Sequence, residues 1–213
     1  MRTRITAICF LVIAPIASAA IVDRAAITVG NQVITESEIV RRIRLQAFQS
    51  GMLPDFSDNS RRETAQRLID LKLVQREMDL GRYERTTAER PLAMVDAFTA
   101  EHFRSSPEAL RLALETVNLT VADLQTEFAE QIDLLSFTSL RFKPAVEVKD
   151  QEIEDYYRIH FQPKPGQAPA ALADVRASIE DILATQRADV ALDAWLKELR
   201  SRTRIVYLEK ELQ

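Results

Sequence analysis

The side chains that do covalent or metal chemistry are few in this sequence and poorly spaced for it. His102 and His160 are its two histidines, far apart and each within a helical pattern. A zinc site needs clustered ligands, as in H-E-x-x-H on one helical turn, and neither histidine has such a partner. Cys9 is the single cysteine and lies in an apolar N-terminal run, so no thiolate completes a metal set. Gly30, Gly51, Gly81 and Gly166 are too dispersed for a phosphate-cradling loop, and no serine stands in a G-x-S-x-G turn. Acidic residues such as Glu77 and Glu152 alternate with arginine and lysine along helices, the pattern of solvated faces rather than a buried carboxylate pair. Asn118-Leu119-Thr120 fits a glycosylation sequon but reads better as a helix break followed by a cap. No catalytic residue, metal ligand or cofactor site is therefore assigned.

Apolar recognition remains. Methionine and phenylalanine adapt to varied partners, and the candidates for binding a polypeptide are Met52, Leu53 and Phe56 in a loop, and Met94 and Phe98 on a helix. The competing reading makes them core residues, which weighs more on Met94 and Phe98 because a loop has less core to fill.

Elements must position these groups, and the composition says which kind. Of 213 residues, 46% are hydrophobic, 28% charged and only 4 are glycine, which favours long solvated helices over a turn-rich β sandwich. The formal charge of −4, with no aromatic-interleaved basic stripe, gives no electrostatic case for nucleic acid.

Arg2 and Arg4 precede an apolar run from Ile5 to Ile16, followed by Ala17-Ser18-Ala19. This is the pattern of an exported protein cleaved after Ala19, giving a periplasmic chain beginning at Ala20. The run is roughly 12 residues, whereas a bilayer span needs about 20. The competing reading is an uncleaved anchor. Cleavage would remove Cys9 and take the charge to about −6.

Ile27 and Val29 alternate with polar or small neighbours, Gly30-Asn31 turns, and Val33-Ile34 returns, which predicts a hairpin. Thr35 and Glu38 then have capping-box spacing, with Ile34 and Ile39 as a hydrophobic staple. Helices are predicted over about 35–49, 58–80, 86–104, from Ser106-Pro107, from Thr120 to near Phe142, and from Asp150. A proline-rich linker occupies 162–170. A long helix over about 171–202 places Leu172, Val175, Ile179, Ile182, Leu183, Val190, Leu192, Trp195, Leu196 and Leu199 on a broad apolar face. Arg204–Leu208 reads as a strand that should pair with the hairpin, since an isolated hairpin is marginal. Trp195 should then be largely buried.

Three stretches taken together resemble the SurA-type N-terminal chaperone domain of parvulin-linked periplasmic folding factors. Ile27-Thr28-Val29-Gly30-Asn31-Gln32-Val33-Ile34-Thr35 resembles that family's opening hairpin and helix start. Leu68-Ile69-Asp70-Leu71-Lys72-Leu73 resembles its L-I-D-x-K-L helix. Ser106-Pro107-Glu108 through Asn118-Leu119-Thr120 to Lys149–Tyr157 resembles its later helices. The match runs in order over most of 22–160, and the last helix and strand resemble the segment that returns after the isomerase. Lys149 stands where such families often carry a capping threonine or serine.

The resemblance implies a mainly α fold, a SurA N-terminal-like helical domain with a small β hairpin, on which a C-terminal helix and strand pack back. The implied organisation is a signal peptide at 1–19, a chaperone domain over 20–161, the linker at 162–170, and 171–213 completing the same domain. It implies binding of unfolded or nascent exported polypeptides. Only His160 to Ala171 stands where a prolyl isomerase module would lie, and an independent domain needs about 50 residues. Isomerase activity is therefore not expected. The alternative function is a structural or assembly subunit that recognises one envelope partner.

Overall fold

The computed structural model describes residues 23–161 and 170–213; the expected signal peptide and nearly all of the proline-rich linker lie outside them. Strand β1 (Ala25–Val29) turns through Gly30, at φ +61°, into antiparallel β2 (Gln32–Thr35). The third strand, β3 (Ile205–Tyr207), pairs antiparallel with the other edge of β1, aligning Ile27 with Tyr207 and Val29 with Ile205. The sheet order is β2-β1-β3, as the need to support the hairpin requires.

Helix α1 (Glu36–Ser50) starts at Thr35, whose hydroxyl accepts from the Glu38 amide at 3.3 Å. The expected reciprocal bond is replaced: Glu38 pairs with Lys72 of α2 (Asp58–Leu80) at 2.8 Å, exchanging a local cap for a tie between helices. Gly51, at φ +65°, ends α1, and the Met52 amide reaches back to Ala47 at 2.9 Å. Helix α3 (Glu89–Phe103) begins later than the sequence suggests, because the Thr86 amide donates to Asp133 at 2.7 Å and holds 86–88 outside the helix.

Ser106 caps α4 (Pro107–Thr116), and Asn118 adopts φ +53° before α5 (Val121–Phe142). Thr120 and Asp123 complete a capping box at 3.1 and 2.9 Å. Replacing Thr120 with alanine should cost about 1 kcal/mol, a melting shift of about 2–4 °C by circular dichroism. An unchanged melt would show that water or Asp123 alone satisfies the helix start. Helix α6 (Asp150–His160) has half a cap. Glu152 accepts from the Lys149 amide at 2.9 Å, while the lysine ammonium has no lone pair to offer in return.

The long α7 (Leu172–Arg202) closes the helical set. The main core gathers the sheet, α1, α2, the end of α5 and the C-terminal half of α7. A second cluster joins Leu45 and Phe48 of α1 to α3, α4 and the start of α5. Helix α5 serves both, so its buried side shifts along its length. Leu124, Phe128 and Ile132 are buried, Leu135 is exposed, and Phe137 takes the next core position. Leu112 and Leu92 also face solvent.

The broad apolar face expected of α7 is narrower. Val190 and Ile182 are exposed, and only Ile179, Ala188 and Leu196 are buried. The N-terminal half of α7 packs mainly on the short α6, which cannot cover a wide stripe. Trp195 is partly buried and packs against the main core. One side meets Phe137 and Phe142 at 5.6 and 6.1 Å, and the Arg141 guanidinium lies 5.3 Å from its ring. Among the described residues, no helix is long and apolar enough to cross a membrane.

Candidate functional site

Helices α1, α2, α5 and α7 do not close completely on one another. Between them runs a groove of about 460 Å³ with a floor of Leu68, Leu71, Val74, Leu134, Leu192 and Leu196. Its rim is polar and largely held in place. Arg42 is clamped by Glu127 and Glu130, and Arg200 bonds Asp70 at 2.6 Å. Arg67 donates to the Gln46 side-chain oxygen at 3.1 Å. Most of the charges around the apolar floor are paired with an opposite charge. Gln46, Gln49 and Gln131 add amides that can both donate and accept, as a main chain requires.

Met52 and Leu53 project from the α1–α2 loop, 67% and 92% exposed. They border a hollow of about 160 Å³ that shares Gln46 and Arg67 with the groove, so loop and groove form adjoining surfaces. Phe56 points elsewhere. Its ring lies 5.9 Å from the Arg44 guanidinium and borders a wider hollow, about 850 Å³, beside Glu36, Arg61 and Glu209. Met94 and Phe98 are on α3 and pack against the second core. Phe98 meets Phe48 at 5.9 Å and Phe128 at 6.2 Å, the arrangement of a core aromatic. Of the five sequence candidates, the structure thus brings Met52 and Leu53 to the groove mouth and separates the other three.

The groove floor was not legible as a site. Leu68, Leu71 and Val74 recur every third residue on α2 and read as core positions, and the residues they meet come from distant parts of the chain. Both histidines are exposed. Among the described residues no group of three or more histidine, cysteine or acidic side chains is placed to hold a metal ion. The chain matches no protein-family model and no curated protein sequence.

Around the wider hollow one arginine serves two carboxylates. Arg61 of α2 contacts Glu36, the first residue of α1, at 2.7 and 2.8 Å, and Glu209, just after β3, at 3.3 Å. The hydrogen bond from Arg61 holds Glu36 below the usual glutamate range. Burial, and then the neighbouring Glu36, push Glu209 above it.

Proposed function

We propose that this protein is a non-catalytic, chaperone-type binder of unfolded or partly folded exported polypeptides, working in the periplasm. The observation that carries the reading is the leucine- and valine-floored groove between α1, α2, α5 and α7, with the exposed Met52-Leu53 tip at its mouth. An apolar floor accepts varied side chains, and a rim of amides and paired charges serves main chain of any sequence. The resemblance of the sequence to SurA-type chaperone domains supports the same reading, and the N-terminal pattern supports export.

Each fully buried client leucine or phenylalanine is worth about 1.5–3 kcal/mol, and ordering a mobile chain offsets much of that. Binding should therefore be weak and reversible, in the micromolar range that suits release. The test is suppression of light scattering by several unrelated unfolded proteins, with the processed chain present at equimolar or small excess. Protection of all of them is expected. Protection of none, with tight binding to one folded envelope protein, would replace this reading with a dedicated assembly subunit.

A further inference from the structure

We propose that Glu36 and Glu209 share a proton across Arg61, so that the C-terminal segment after β3 docks most firmly in mildly acidic medium and loosens as the pH rises. The geometry is a shortage of donors. One nitrogen of Arg61, Nη2, stands 2.8 Å from Glu36 Oε2 and 3.3 Å from Glu209 Oε2, while Nη1 is taken by Glu36 Oε1. Glu209 Oε1 is buried and has no hydrogen-bond partner. A carboxylate oxygen in that position is costly, and a proton on it turns an unmet acceptor into a donor toward Glu36.

The surroundings do not relieve the shortage. Around the same hollow stand Asp23 and Arg24 ahead of β1, Asp58 on α2 and Glu211 on the tail, so acids outnumber cations. Asp23 is already engaged by Ser37 of α1, and Arg62 donates to the backbone carbonyl of Glu211 at 3.4 Å. The pair joins three places in the fold: the first turns of α1 and α2, and the tail whose Leu212 is fully buried in the main core.

The direction of the pH effect follows from the two carboxyls. Glu209 holds its proton more tightly folded than unfolded, so its contribution is complete below the ordinary glutamate value of 4.5 and is lost as the pH rises through its raised folded value. Glu36 behaves oppositely, and its contribution is lost only in stronger acid, as the pH falls through its lowered value. Docking is firmest between the two.

The test is Glu209→Gln, a neutral isostere of the protonated side chain, melted at pH 4.5 and pH 8 beside wild type. The expected result is a rise of about 2–4 °C at pH 8 and a matching narrowing of the difference between the two pH values. A variant that keeps the wild-type difference, or that fails to fold, overturns the proposal. In wild type, amide exchange corrected for its intrinsic rate should show about fivefold less protection over 205–213 at pH 8 than at pH 4.5, with the Phe137 amide unchanged. Equal loss throughout the molecule would equally overturn it.

Discussion

Serine at Leu71 and Leu134 together should weaken the binding of a labelled unfolded peptide about tenfold or more, read by fluorescence anisotropy. Both side chains belong to the apolar floor of the groove, one from α2 and one from α5, and a client side chain seated there would touch both. Losing about 1.4 kcal/mol of apolar contact corresponds to one decade of affinity. Because both leucines also lean on the main core, the double variant should melt somewhat lower. A parallel variant with serine at Met52 and Leu53 separates the two effects. Those residues are exposed, so its melt should stay near wild type while affinity falls about tenfold. Full affinity in both variants would remove the groove and the loop as the site, whatever happened to stability.

Replacing Phe137 with alanine should destabilise the protein by about 3–5 kcal/mol and lower its melting temperature by roughly 10 °C. Phe137 is fully buried where α5 meets α2 and α7. Its ring touches Tyr83 edge-on at 5.1 Å and lies within reach of Phe142 and Trp195. Truncation would leave a cavity bounded by three aromatic rings, which are stiff and collapse poorly. A loss under about 1 kcal/mol would mean that Trp195, only partly buried, swings inward to fill it.

What could be read from sequence was local. The caps at Thr35, Ser106 and Thr120 depend on side chains within three residues of their partners, and each lies where the spacing placed it. The third strand was readable because Ile205–Tyr207 follows a long helix and the hairpin needs a neighbour. The exposure of Leu135, Leu92 and Val190 was not readable. Periodicity tells which residues share a helix face, but here one helix turns different sides toward two cores, and another outruns the element that covers it. Glu38 shows the same limit at one residue: its spacing fits a cap, and Lys72, brought close by the packing of α2, takes it instead. The groove was further from view, since its floor joins residues of α2, α5 and α7 that become neighbours only when the core forms. Of the loop candidates, exposure was the readable part, and the turning of Phe56 away from Met52 and Leu53 was not.

The pairing of β1 with β3 sets a timetable for synthesis. A chain made from its N-terminus produces the hairpin before the strand that completes the sheet, with α1 to α7 of the described residues made in between. Until Ile205–Tyr207 arrives, one edge of β1 stays unpaired and the pocket for Leu212 stays open. Contacts between such distant residues form late and slowly. The incomplete protein is therefore itself an unfolded polypeptide with an exposed strand edge, held for a time in the condition its proposed clients share.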